Sequence, residues 1–161
     1  MNPTTLLWTA LLALLPISEL RGAIPYAVLR GSDILAAALL GTAVNALVPL
    51  LAYLFLNTIH KLLYRAGWYR KFFDRFVERA RAKVHAQVEK YGYLGLMVFV
   101  AIPLPMTGAW TGTLGAWVLG MEWKKACLAI IAGVVVAGIA VSLLVAVLGP
   151  AADTIFFKAF R

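Results

Sequence analysis

Two stretches of this sequence, residues 34–59 and 126–152, contain no Asp, Glu, Lys or Arg at all. A helix that crosses the hydrocarbon layer of a membrane needs roughly 20 apolar residues, so each stretch holds enough for one crossing. Two further runs, 5–18 and 91–121, are also free of charge. The whole chain of 161 residues is 63% hydrophobic and 14% charged, whereas soluble domains average about 45–50% apolar and about 25% charged. These runs predict a multi-pass integral membrane protein of the inner (plasma) membrane. The opening "MNPTTLLWTALLALLP" has no Lys or Arg before its apolar run and no small-residue cleavage site after it, so it is expected to stay in the protein rather than act as a cleaved leader.

The charges are unevenly placed. Nine of the 15 Lys and Arg residues fall in 57–90, between the two apolar halves. That is the pattern of a cytoplasmic loop, so the formal net charge of +8 is not read as a nucleic-acid surface. From Trp68 to Lys90, apolar residues recur every three or four positions (Tyr69, Phe73, Val77, Ala80, Val84, Val88) with Arg and Lys between them. This periodicity predicts a basic amphipathic helix on an anionic cytoplasmic leaflet, or one packed on a partner protein. The single cysteine, Cys127, excludes an internal disulfide and is read as packing.

Each half has an interrupted apolar segment, 5–29 or 92–119, followed by a long clean one. "ELRGAIP" (19–25) and "PMTGAWT" (105–111) align without gaps, placing Gly22 on Gly108 and Arg21 on Thr107. Paired, Gly/Pro-interrupted segments in corresponding places point to a transporter binding site. In hydrocarbon every backbone N–H and C=O must be paired, so broken helices survive only where they face protein or a wet cavity. The expected fold is an all-α membrane protein of two inverted repeats, each a re-entrant helical hairpin followed by a transmembrane helix. The boundaries are hairpin 1 at 1–31, a transmembrane helix at 33–56, the amphipathic linker at 57–90, hairpin 2 at 91–121, a transmembrane helix at 123–150 and a tail at 151–161. Both termini then lie outside. A Pro-kinked spanning helix is the alternative for each hairpin, and with four crossings both termini are cytoplasmic.

Ionisable residues inside a membrane segment are costly, about 2.5–3.5 kcal/mol for an Arg at mid-helix. Glu19 and Arg21 sit near the middle of 5–29. As i and i+2 neighbours they would point apart on a regular helix, but at a broken tip both would line one cavity. Glu19 is a candidate proton carrier, and Arg21 a candidate anion ligand through its planar fork of donors. A structural ion pair that locks the tip is the other reading. Half-helices starting near Pro25 and Thr107 would aim free N–H groups at the same place. Gly22 and Gly108 permit close approach, and Pro103 and Pro105 break the second segment. Thr107, Thr111 and Thr113 add hydroxyls, and Trp110 is either an aromatic wall or an interfacial anchor. Asn45 extends the polar stripe, or makes an interhelical hydrogen bond. No metal, nucleotide or nucleophile motif is present, so neither an enzyme nor a cofactor is expected.

"ELRGAIP" together with "PLPMTGAWTG" (103–112) resembles the small multidrug export family of bacteria and archaea, over essentially the whole chain. That family is in turn similar to the DedA superfamily, and the resemblance implies two re-entrant hairpins, proton coupling through a membrane acid and, in some relatives, movement of polyprenyl-phosphate lipids. It implies site roles for Glu19, Arg21, Pro25, Pro103, Pro105, Thr107, Gly108 and Thr111. The second-hairpin arginine usual in DedA proteins is replaced here by Thr107. The expected function is proton-coupled transport of an amphipathic substrate, favoured as an anionic lipid of the polyprenyl-phosphate kind. Proton antiport of cationic drugs is the first alternative, and a non-transporting membrane assembly protein the second. Expected partners are that substrate, protons and anionic membrane lipids, with a second copy of the chain left open.

Overall fold

The computed structural model describes residues 1–103 and 107–159. It is 83% helical, with no strand among the described residues. The helices are α1 (Pro3–Leu14), α2 (Glu19–Leu29), α3 (Ile34–Asn45), α4 (Val48–Asn57), α5 (Ile59–Leu63), α6 (Gly67–Ala101), α7 (Ala109–Val118) and α8 (Trp123–Ala159).

Two stretches are long and apolar enough to cross a membrane. Ile34–Asn57 has 24 residues with mean hydropathy 2.1, and Trp123–Leu148 has 26 with mean hydropathy 2.9. The first is not one uninterrupted helix. It turns at Ala46 and Leu47, between α3 and α4. Pro49 is the cause: it has no N–H to give to the Asn45 carbonyl one turn back. The second, α8, continues through residues 151–159, where the sequence suggested only a tail.

The half-helices end alike. After α2, the N–H groups of Arg30, Gly31 and Ser32 bond to the carbonyls of Tyr26, Val28 and Ala27. After α7, those of Leu119, Gly120 and Met121 bond to Gly115, Trp117 and Ala116 with the same spacings. Gly31 and Gly120 take φ 79 and 69, the left-handed conformation that closes such a cap. Asp33 then caps α3 through the Ala36 N–H at 3.1 Å. Matched from these caps backwards, Glu19 stands against Gly108. Gly22 and Gly108, aligned in the sequence, stand at different places: Gly22 lies within α2, whereas Gly108 precedes α7.

α1 packs on α2 and α3, α2 on α3 and α8, and α6 on α7 and α8. Lipid tails are as apolar as Leu, so burial drives little association between membrane helices and close packing matters more. Small residues supply it. A Cβ on Gly41 would lie 2.9 Å from Ile24, one on Gly112 2.7 Å from Val100, and one on Gly133 2.8 Å from the Val100 Cβ. Leu20, Ile24, Leu96, Val100, Ile130 and Val134 are all fully enclosed. Leu39, Leu54, Leu128 and Leu143 stay exposed on the outside, as lipid-facing positions require.

α6 contains a break at Gly92, where φ 58 and ψ −132 leave the helical region. Before the break, Phe73, Ala80 and Val84 are buried, and Phe73 and Ala80 pack with Leu56 and Leu114. His60 from α5 sits among rings, its centroid 4.0 Å from Phe73 and 5.6 Å from Trp117, with Nδ1 3.1 Å from the Tyr69 hydroxyl.

Candidate functional site

The chain leaves α1 at Leu15 and re-enters helix at Glu19, not near Pro25 as the sequence suggested. Pro25 lies inside α2, one turn beyond Arg21, where its missing N–H leaves the Arg21 carbonyl without its helix partner. Glu19 itself has φ 51, a left-handed conformation that non-glycine residues rarely adopt. This backbone turns its side chain towards the second hairpin.

There the carboxylate meets the start of α7. It accepts hydrogen bonds from the N–H groups of Ala109 at 3.3 Å and Trp110 at 3.2 Å. Gly108, the N-cap residue of α7, has no side chain to cap the helix, and Glu19 takes that role from another segment. A helix N-terminus carries unpaired N–H groups and positive dipole charge, so a carboxylate fits it in both respects. The approach is close enough that a side chain at 108 would have to displace the carboxylate: an added Cβ would lie 2.6 Å from the Glu19 carboxyl carbon.

Arg21 stands beside it. Its Nη1 is 3.8 Å from Glu19 Oε2. Its Nη2 donates to the carbonyl of Ile102 at 3.2 Å and to Thr107 Oγ1 at 3.3 Å, with the Val100 carbonyl at 3.5 Å. Thr107 also donates to the Ile102 carbonyl at 2.9 Å. The guanidinium therefore serves the C-terminal end of α6, where carbonyls lack partners and the dipole is negative. Arg21 Nε is buried without a partner.

The reverse contact is made by Trp110. Its indole N–H donates to the Leu14 carbonyl at 2.8 Å, at the end of α1. Asn45 Nδ2 donates to the neighbouring Ala13 carbonyl at 2.8 Å. Each hairpin thus caps the open carbonyl end of the other. This is the pairing that broken helices need in an apolar setting.

Of the residues singled out from sequence, Glu19, Arg21, Thr107, Gly108 and Trp110 come together at this junction. Trp110 is bonded inside the protein through its indole N–H. Asn45 borders the junction through α1; its interhelical hydrogen bond is present, and its Oδ1 is buried without a partner. Gly22 packs against the Ser18 side chain. Pro103 is half-buried between Ile102 and the undescribed stretch, Thr111 is half-buried on the first turn of α7, and Pro105 lies outside the described residues. Thr113 turns its hydroxyl to the Ala109 carbonyl of its own helix at 2.6 Å. The α7 N–H groups expected to be free for a ligand are occupied by Glu19. The acceptors at Leu14, Val100 and Ile102 are backbone atoms, and no residue type could have announced them.

Two apolar spans, and an α2 ion pair whose members bond to the start of α7 and the end of α6, fit a helical membrane protein. A family model described as "Putative small multi-drug export protein" matches residues 19–140, from Glu19 into α8, and the chain belongs to this family. No curated protein and no solved structure matches it.

Proposed function

We propose that this chain is a proton-coupled transporter of an amphipathic substrate with an anionic head, and that Glu19 is its proton-operated latch. One observation carries the reading. The Glu19 carboxylate occupies a donor set, two α7 N–H groups and the Arg21 guanidinium, that would suit the anionic head of a substrate equally well. Protonation removes the charge of Glu19 and one of its acceptor sites. The donors are then released to a phosphate or carboxylate group. The left-handed backbone at Glu19 favours release, since such conformations cost about 1–3 kcal/mol and persist only when their surroundings hold them.

The re-entrant, inverted architecture belongs to this proposal. α1, α2 and α7 have 12, 11 and 10 residues, so at about 1.5 Å per residue each reaches about half of a hydrocarbon layer roughly 30 Å thick. Exchanging the halves turns the α1–α2 contact into α6–α7, α2–α3 into α7–α8, α1–α3 into α6–α8 and α2–α8 into α4–α7, all of which occur. The matched helix caps at Gly31 and Gly120 support the same exchange. A relationship to the DedA superfamily agrees with this plan, and a polyprenyl-phosphate-like lipid is the substrate class that it favours. No catalytic role and no cofactor are assigned.

The test uses purified protein in proteoliposomes under an imposed pH gradient, with a short polyprenyl phosphate and a cationic dye as probes. Gradient-driven movement of the phosphate, lost from its coupling in Glu19→Gln, is expected. Movement of the dye alone would make the chain an exporter of cationic drugs. Movement of neither would leave an assembly protein.

A further inference from the structure

We propose that the outward face of α5 and the first half of α6, from Ile59 to Arg79, is a binding surface for the headgroups of anionic phospholipids. The proposal is independent of the Glu19–Arg21 junction. A basic amphipathic helix ordinarily binds a bilayer by sinking its apolar face into it. Here that face is already used. Phe73, Ala80 and Val84 are buried, Phe73 against His60 and Trp117, and Val84 so close to α7 that a Cβ on Gly115 would lie 2.8 Å from its own.

What remains outward is Trp68, Lys71, Arg75 and Arg79, spaced three or four residues apart and so on one stripe of the helix. All four are exposed. Arg70, on the flank, is held by Asp74 at 3.9 Å and by the Tyr64 ring, and Glu78 is the acid within the stripe. Beside the stripe, Ile59, Leu62 and Trp68 are exposed by 52%, 67% and 73%. Ile59 and Leu62, in α5, follow closely on Asn57, the end of the first apolar span. Exposed aliphatic and indole side chains next to exposed cations, just beyond a span, match the layer where apolar chains give way to charged headgroups. A soluble acidic protein would satisfy the cations but leave Leu62 and Ile59 uncovered.

The experiment titrates the purified full-length protein with phosphatidylglycerol and phosphatidylcholine together and counts retained lipids by native mass spectrometry. Wild type should retain phosphatidylglycerol in preference, and high salt should weaken that preference because the stripe is solvent-exposed. Combining Lys71→Gln, Arg75→Gln and Arg79→Gln should abolish it with thermal stability unchanged, and the three single changes should each reduce it if the triple variant folds poorly. Lys90→Gln, exposed on α6 beyond the stripe, should leave it intact, which separates this surface from the basic charge of the loop as a whole. Equal retention of both lipids by wild type, or a preference that survives the substitutions, would overturn the proposal.

Discussion

The carboxyl carbon of Glu19 lies where a methyl group on Gly108 would have to be, 2.6 Å from the ideal Cβ position. The acid of the first hairpin and the glycine of the second are therefore a matched pair. Gly108→Ala should push the carboxylate off the α7 N–H groups while leaving both residues' chemistry otherwise intact. Losing hydrogen bonds to a charged acceptor costs about 1.5–3 kcal/mol each, less whatever is regained elsewhere. A clear drop in melting temperature is expected. Adding Glu19→Ala to Gly108→Ala should cost little more, since the contact is already gone. Additive losses in the double variant would show that the two residues act separately.

How much of this was legible in the sequence follows from what each residue type can announce. Charge-free runs marked the two spans, because length and composition alone decide whether a helix can cross. Glu19 and Arg21 stood out because an ion pair in an apolar run has few structural excuses. Their main-chain partners did not, since Val100, Ile102, Ala109 and Trp110 meet them through backbone atoms. The start of α2 was misplaced because Pro25 reads as a helix start, yet here proline sits inside the helix and the left-handed Glu19 opens it. The His60 cluster was also missed. Its rings, from α5, α6 and α7, are adjacent only after the chain folds.

His60 should make stability pH-dependent. Burial holds its imidazole below the ordinary value, with Asp74 pulling weakly the other way. Phe73 and Trp117, whose rings pack on it, bring no charge. In the unfolded chain the ring takes up a proton near its ordinary pKa of about 6.5, before the folded protein does. Stability is then full above that value and falls as pH drops below it towards the lower folded value. Melting temperatures taken across this range should fall for wild type and less for His60→Phe, which keeps the ring packing. The same slope in both would assign the effect to another group.

The inverted plan places both termini on the side opposite the basic loop. A reporter fused before Met1 or after Arg161 should be reached only from outside the cell, and one inserted near Arg65 only from the cytoplasm. Termini reached from the cytoplasm would mean that the interrupted segments cross, and the half-length hairpins would be withdrawn.

The central claim is that one carboxylate holds the donors an anionic substrate needs. Binding of a short polyprenyl phosphate to the purified protein, measured against pH in wild type and Glu19→Gln, tests it most directly. Wild-type binding should strengthen as pH falls and Glu19 takes up its proton. Gln carries no charge at any pH and turns an N–H₂ group where an acceptor stood, so the variant should bind at least as well, without that pH dependence. Binding that is independent of pH in wild type, or lost in Glu19→Gln while the variant stays folded, would contradict the account.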